Sequence, residues 1–374
     1  MRASLYLHIP FCRQKCSYCD FNSFDSPTIP VREYVSRLLR EMAATAERFA
    51  PVSVPTVYFG GGTPSLLPTG LLTGLLVSAA QAFELESDAE ITLEANPGTV
   101  TLESLGAYLD AGVNRLSVGI QSLDDRELAI LGRIHTADQG ARAIALARSA
   151  GFANIGLDLM HSLPGQTLAG WRETLSRAVD LGVEHISAYA LSIEDGTPLA
   201  AAVDRGDILP VDPDLSAEMF EYTADFLVSA GYEYYEVSNF ARPGRRSRHN
   251  QVYWQRGSYL GFGAGAHSFL NDRGWGVRWE NPPDLAEYAA SFGGAEHPLS
   301  REDAMAEFFF LGLRMLEGVD LSSFAAEFGE AAENLYADAM ESCLAEGVLQ
   351  RRGDMLALTR RGLLLANRVL ARFI

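Results

Sequence analysis

Leu5-Tyr6-Leu7-His8-Ile9-Pro10-Phe11-Cys12-Arg13-Gln14-Lys15-Cys16-Ser17-Tyr18-Cys19 is the stretch on which the reading of this chain turns. A short apolar run with the composition of a buried strand leads into a loop carrying cysteines at CxxxCxxC spacing. Three thiolates on one loop can wrap a metal centre, and three is the informative number. Structural zinc and ordinary cubane iron–sulfur clusters take four protein ligands. A three-cysteine loop therefore leaves one iron of a [4Fe-4S] cube open to the amino and carboxylate groups of a small molecule. Two plainer readings stand beside this one: a zinc loop completed by a distant residue such as His8, or three unrelated buried thiols. The chain has only four cysteines, so finding three of them in one loop speaks against chance. Cys343, far downstream and without ligand-like neighbours, reads as an ordinary buried thiol.

Working outward, the strand–loop–helix unit repeats. Apolar runs at 56–59, 91–94, 115–121, 155–160 and 185–191 alternate with helical patterns near 31–49, 71–83, 102–110, 126–131, 137–150 and 171–181. Strands alternating with helices predict an α/β fold built on a parallel sheet, closed or partly closed as a barrel. An open doubly wound sheet has the same alternation. The positions of the unusual residues bear on the choice. Cys12 to Cys19, Gly60 to Thr63, Glu94, Gln121, Asp158 and Tyr189-Ala190 each fall at or just past the C-terminal end of a strand, and in a barrel those ends share one rim. Residues 1–200 are expected to form this core, and 201–300, which are less regular, to complete it. Residues 301–374, with amphipathic helices and a hairpin around Gly353-Asp354, are expected to form a small α+β domain of winged-helix type.

At 374 residues and 48% apolar composition the chain can bury a large core. Its formal charge of −18 argues against broad binding to a phosphate backbone, so nucleic acid is not an expected partner. No secretory signal pattern precedes Cys12, and the richest later apolar run, Phe308 to Leu313, is too short to cross a bilayer. A cytoplasmic protein is expected, with contact to the membrane limited to its periphery; a reducing compartment would also keep the loop thiols from pairing.

Several side chains bear on chemistry. The run Gly60-Gly61-Gly62-Thr63 lets a backbone approach a ligand and offer N–H donors, although glycine-rich turns are also common between strand and helix. Glu94 and Asp158 end apolar strands, where a carboxylate is costly unless it meets hydroxyls or a cation. Arg133 could grip a ligand carboxylate with both arms of its guanidinium. Taken singly, each reads as a helix cap or a surface ion pair; together they suit a zwitterionic nucleoside. His249, in His249-Asn250-Gln251-Val252-Tyr253-Trp254, follows Arg242, Arg245, Arg246 and Arg248. It reads either as a haem iron ligand with arginines for the propionates, or as a core histidine beside a solvated basic loop. The loop from Gly261 to Ser268 lacks a strand–helix context and reads as tight backbone packing.

These residues resemble the radical S-adenosylmethionine superfamily, through CxxxCxxC with Tyr18 before the last cysteine. More closely, Tyr6 to Cys12, the GGGTP loop, Glu94-Ala95-Asn96-Pro97, Gly119-Ile120-Gln121-Ser122, Leu131-Gly132-Arg133, Asp158-Leu159-Met160 and Leu163 to Thr167 resemble the oxygen-independent coproporphyrinogen III oxidase-like proteins, over nearly the whole chain. True oxidases of that family end the motif with a further cysteine, where this sequence has Phe21, and carry an N-terminal extension, where only eleven residues precede Cys12. Both features, and His249-Asn250-x-x-Tyr253-Trp254, are similar to the haem chaperone branch, HemW. The resemblance implies a partial (β/α)6 barrel. It implies Cys12, Cys16 and Cys19 as ligands of a [4Fe-4S] cluster. It implies Tyr6, Tyr18, Gly61, Gly62, Thr63, Glu94, Gln121, Arg133, Asp158 and Ala190 around S-adenosylmethionine, and it favours His249 as the haem residue. The partners it implies are haem and a haem-acceptor protein, expected to be a membrane-associated respiratory enzyme. Catalysis of a radical decarboxylation or methylation is the alternative activity.

Overall fold

The computed structural model describes residues 1–25 and 30–374. Six strands, β1 (Ser4–Ile9), β2 (Ser53–Gly61), β3 (Glu84–Ala95), β4 (Arg115–Gln121), β5 (Ile155–His161) and β6 (His185–Ala190), lie side by side in chain order. All five pairings between them are parallel. Parallel neighbours need crossovers, and helices supply them: α1 (Val31–Phe49), α2 (Thr69–Ala82), α3 (Leu102–Asp110), α4 (Asp125–Ile130) with α5 (Ala137–Ala150), and α6 (Leu168–Asp180). Local chemistry sets several helix starts. Thr101 and Thr136 close capping boxes at α3 and α5, Asp124 caps α4 and Thr167 caps α6.

The segment that reads as irregular extends the sheet at both ends. After β6 the hairpin β7 (Glu233–Glu236) and β8 (Asn239–Ala241) adds antiparallel strands. At the other edge β9 (Tyr259–Phe262) joins β1 in parallel, followed by antiparallel β10 (His267–Leu270), β11 (Val277–Glu280) and β12 (His297–Pro298). The loop between β9 and β10 is tight, as read: a Cβ on Gly261 would sit 2.0 Å from the His267 carbonyl oxygen.

Side-chain alternation shows why this sheet curls around something polar. Parallel strands buried on both faces usually read as continuous apolar runs. Here one face carries Leu5, Leu7, Val57, Phe59, Leu93, Leu116, Val118, Leu157 and Ile186, all in the apolar core with the helices. The other face carries Tyr6, Thr56, Tyr58, Thr92, Glu94, Arg115, Ser117, Asp158, His185 and Ser187, which the registers place beside one another across the strands. Period two puts one set outside and the other inside.

Residues after about 300 pack a second, separate apolar core containing Phe309, Phe324, Phe328, Met340, Leu356, Val369 and Phe373. It holds helices Arg301–Gly312, Leu321–Phe328 and Ala332–Ala345, and a small antiparallel sheet that includes the hairpin strands Leu349–Arg352 and Met355–Leu358. Cys343 is buried within it, as the lone-thiol reading expects. An ion network with a buried centre at Glu307 and Arg256 and exposed ends at Arg278 and Glu327 ties this core to the barrel. Glu307 reaches Arg256 at 3.3 Å and Arg278 at 2.8 Å, and Arg256 also reaches Glu327 at 2.7 Å.

Candidate functional site

The cysteine loop leaves β1 and is pinned at several points. Cys12 N donates to Phe24 O at 2.9 Å and Phe24 N to Pro10 O at 2.7 Å, closing the base of the loop. Ser17 donates its N–H to Leu131 O at 3.2 Å and its hydroxyl to Ile130 O at 3.0 Å, fastening the middle to the end of α4. Asn22 Nδ2 donates to Ala264 O and Pro283 O, each at 3.0 Å. Tyr18 packs with Leu131, Met160 and Leu163.

Cys12, Cys16 and Cys19 are half-buried and line one cavity of about 480 Å³, within the size range of small-molecule sites. Burial pushes the Cys12 and Cys19 thiols up. Each sulfur faces one polar neighbour. Thr63 Oγ1 donates to Cys12 Sγ at 3.7 Å, Arg133 Nη1 donates to Cys16 Sγ at 3.4 Å, and the Ser23 hydroxyl lies 4.0 Å from Cys19 Sγ. Donors aimed at sulfur suit thiolates bound to an iron–sulfur cluster, whose electronics such contacts tune. The zinc alternative fits poorly. His8 is already engaged at both ring nitrogens, by Tyr6 Oη at 3.0 Å and Asn22 O at 2.7 Å.

Opposite the thiols, the cavity wall holds the residues of the strand ends: Gly61, Gly62, Thr63, Glu94, Gln121, Arg133, Asp158 and Ala190, with Tyr18 from the loop. Burial pushes Glu94 up to about 7, with Asp158 raising it further and the Tyr58 hydroxyl, which donates to Oε1 at 2.6 Å, opposing the shift. Burial also pushes Asp158 up, while Ser187, Arg115 and Ser117 hold it down. Two carboxylates kept costly to ionise are well placed to take hydroxyls or an ammonium. Gln121 sits at φ 70°, in the left-handed region that a non-glycine residue seldom adopts without a local demand.

Three expectations meet a different geometry. The glycine run is only partly open as a source of N–H donors: Gly62 N donates to Ile9 O at 2.8 Å, while the Gly61 N–H serves Glu94 in the cavity wall. A Cβ on Gly61 would stand 2.6 Å from His8 Cε1, and one on Gly62 would stand 2.8 Å from Phe11 O. The run lacks side chains because β2 must pass against the root of the cysteine loop. Tyr6 lies within the wall, its hydroxyl on His8, and does not line the cavity. His249 is buried outside the cavity lining in the short helix Arg248–Trp254. Its Nδ1 is 2.7 Å from Thr56 Oγ1, its Nε2 is 2.8 Å from Tyr253 Oη, and its ring stacks on Tyr58 at 4.9 Å. Burial, with Arg115 nearby, lowers it to about 3, so it is a neutral core histidine with no free nitrogen. The arginines before it are largely engaged too. Arg246 pairs with Glu233 and Glu317, Arg248 pairs with Asp88, and Arg242 donates to Ala230 O.

Sequence reading missed Tyr58, Arg115, Ser117 and Ser187, which line the same cavity. Their signal was present as alternate polar positions in strands read only for their apolar content. Phe21 stands at the cavity and is 64% exposed, unusual for a phenylalanine beside a thiol loop.

Comparison with known proteins agrees with this geometry. The Radical SAM superfamily model matches residues 6–178 and the HemN C-terminal domain model matches 299–365. Heme chaperone HemW of Bacillus subtilis is 35% identical over 99% of this chain and 99% of its own length. Heme chaperone HemW of Mycobacterium tuberculosis is 38% identical over 98% of this chain and 93% of its own. Among solved structures, coproporphyrinogen III oxidase (HemN) from Escherichia coli superposes with a TM-score of 0.84 at 23% identity, covering 99% of this chain and 89% of that one.

Proposed function

This chain belongs to the heme chaperone HemW family of the radical SAM superfamily, and from that membership we propose that it binds haem and hands it to an acceptor protein. The carrying observation is likeness to proteins named as haem chaperones along the full length of both partners. Phe21, where the resemblance expects a further cysteine in a true oxidase, supports the same branch. Cys12, Cys16 and Cys19 would hold a [4Fe-4S] cluster, and Tyr18, Gly61, Gly62, Thr63, Glu94, Gln121, Arg133, Asp158 and Ala190 would enclose S-adenosylmethionine, with Tyr6 in the wall behind them. When bound, the cluster supplies one-electron chemistry and S-adenosylmethionine a cleavable sulfonium. The chain itself supplies orientation: Thr63, Ser23 and Arg133 face the sulfurs, Tyr58 steadies Glu94, and Ser117 and Ser187 steady Asp158.

An anaerobic haem titration of the cluster-loaded protein, followed at the Soret band, tests this reading. Saturable binding is expected; a linear, unsaturated response would overturn it. A haem-ligand role for His249 requires release of Thr56 or Tyr253 first. His249→Gln tests that role: loss of the Soret shift on binding would keep His249 as ligand, and an unchanged spectrum would remove it. The acceptor is proposed to be a membrane-associated respiratory protein; among the described residues no helix is long and apolar enough to cross a membrane. Transfer from the haem-loaded chain to membranes carrying haem-free acceptor, read as loss of the chain's Soret band, tests that step. The grouping of Glu94, Gln121, Arg133 and Asp158 in one cavity favours a second reading, a radical enzyme acting on a porphyrinogen. Anaerobic product analysis with coproporphyrinogen III decides it, since full recovery of the substrate removes decarboxylation.

A further inference from the structure

Arg115 opens β4 and is one of the largest fully buried side chains, 2% exposed. It also lines the cavity shared by the three cysteines. A guanidinium offers five N–H donors in a rigid fork. In this protein, Nη1 makes one long contact, 3.5 Å to Thr92 Oγ1, and Nε is buried with no partner. Removing one partner from a buried charge is strongly unfavourable, so a buried cation is normally paired.

The carboxylates around it, Glu90 foremost and Asp158 with it, favour its charge, but their hydrogen bonds go elsewhere. Glu90 accepts the N–H groups of Arg248 at 3.2 Å and His249 at 3.1 Å, fastening the start of the closing helix. Glu94 accepts from Tyr58, and Asp158 from Ser117 at 3.4 Å. Beneath Arg115 the wall lacks a side chain at Gly156. A Cβ there would stand 3.5 Å from Arg115 Nη2 and 3.4 Å from His185 Nδ1, which is itself buried without a partner. The other nitrogen of His185 is 2.8 Å from Tyr235 Oη. Two side chains with an unpartnered nitrogen therefore lie side by side, and one of them, Arg115, lines the cavity together with Ser117, Ser187 and Tyr58.

We propose that Arg115 is the floor anchor of the cavity, taking a carboxylate of the bound ligand in a forked contact. This rests on the reading of the cavity as a ligand site. A planar carboxylate matches the fork and meets guanidinium donors that the protein leaves without a close partner. Two ligands of the proposed function carry one: a propionate arm of the tetrapyrrole, and the amino-acid end of S-adenosylmethionine. Arg115 is missing from the residues that the family resemblance places around either.

The experiment compares each free acid with its ester, haem against haem dimethyl ester and S-adenosylmethionine against its carboxyl methyl ester. Binding to the anaerobically cluster-loaded full chain is measured for wild type, Arg115→Met and Arg115→Lys. For one of the two pairs the wild type binds the acid about 10- to 100-fold more tightly than the ester, the range of one charged hydrogen-bonded contact. In Arg115→Met that ratio collapses toward one, with Arg115→Lys between, and the pair that responds identifies the ligand. Thermal denaturation without ligand sets the temperature of the comparison. Arg115→Met melts lower than wild type with or without a ligand role, because Glu90 and Asp158 lose the cation beside them, so affinities are compared below the melting temperature of the variant, with Arg115→Lys as the charge-keeping control. Acid-to-ester ratios that survive in Arg115→Met for both pairs overturn the proposal. If the wild type binds neither haem nor S-adenosylmethionine, the ligand-site reading falls and Arg115 with it. If both bind with ratios indifferent to residue 115, only the anchor falls.

Discussion

Substituting Glu41 tests the polar knot that supports the cysteine loop from behind. Glu41 lies on α1 and is 4% exposed. Its carboxylate accepts from Asn281 Nδ2 at 2.6 Å, Tyr288 Oη at 2.7 Å and Gly263 N at 3.0 Å. The next residue, Ala264, accepts from Asn22 on the cysteine loop and donates to Tyr34 Oη at 3.0 Å, and Tyr34 donates to His8 O at 2.8 Å. Burial pushes Glu41 up to about 7 from its ordinary 4.5, with Tyr288, Asn281 and Gly263 holding it from rising further. Between those two values the folded chain keeps a proton that the unfolded chain has lost, so stability falls as pH rises across that window. At 1.36 kcal/mol per pH unit, the interval from 4.5 to about 7 amounts to about 3 kcal/mol. Glu41→Gln is neutral throughout and lacks this slope. Urea denaturation of both proteins at pH 5 and pH 8 should show the wild type losing about 2.5 kcal/mol relative to the variant on going to the higher pH, since the unfolded carboxyl is already mostly ionised at pH 5. Parallel stabilities at the two pH values would refute the reasoning, because they would mean that burial leaves Glu41 titrating as it does in water.

Cys16→Ala should abolish iron–sulfur absorption after anaerobic reconstitution, and a variant with normal iron and sulfide content would contradict the three-point ligation. Gly61→Ala should destabilise by roughly 2–5 kcal/mol, since it places a Cβ 2.6 Å from His8 Cε1 at a φ of +112°. Gly74→Ala, within α2 and with nothing near its Cβ, should instead stabilise by about 0.5–1 kcal/mol; equal urea midpoints for the two variants would sink that contrast. Glu307→Ala leaves Arg256 and Arg278 without their shared carboxylate and should cost about 3–5 kcal/mol in urea denaturation; a change below about 0.5 kcal/mol would show that the network does not bind the two cores together.

The order of the six strands and their helices was legible because apolar runs and caps repeat in the sequence, and the rim site was legible because chemistry-bearing residues sit at strand ends. The barrel's interior was harder to see. Arg115 and Ser117 stand between Leu116 and Val118, and an apolar run interrupted by single polar residues reads as one buried strand unless the alternation itself is weighed. The length of β3 was hidden for a related reason. Its first half, Glu84 to Asp88, is polar and carries no core pattern, yet the backbone pairs with β2 from Ser53 onward. The glycine run was visible but its cause was not, because the ring of His8 that forbids a side chain at Gly61 is remote in sequence.

The His249 motif shows how one spacing supports two opposite readings. Ser247 caps the helix Arg248–Trp254, and the separation of four residues puts His249 and Tyr253 on the same helix face, within 2.8 Å of each other. The ring then fills the space between that helix and β2, stacked on Tyr58 and bonded to Thr56. A metal ligand needs one nitrogen free, whereas a residue closing a polar interior needs both satisfied, since an unmatched buried polar atom carries the full cost of its lost hydration. The geometry meets the second demand. The haem reading therefore stands on full-length likeness to named haem chaperones and on Phe21, and an unmet hydrogen-bond demand inside the barrel belongs to Arg115, whose Nε has no partner and whose side chain lines a cavity large enough for a ligand.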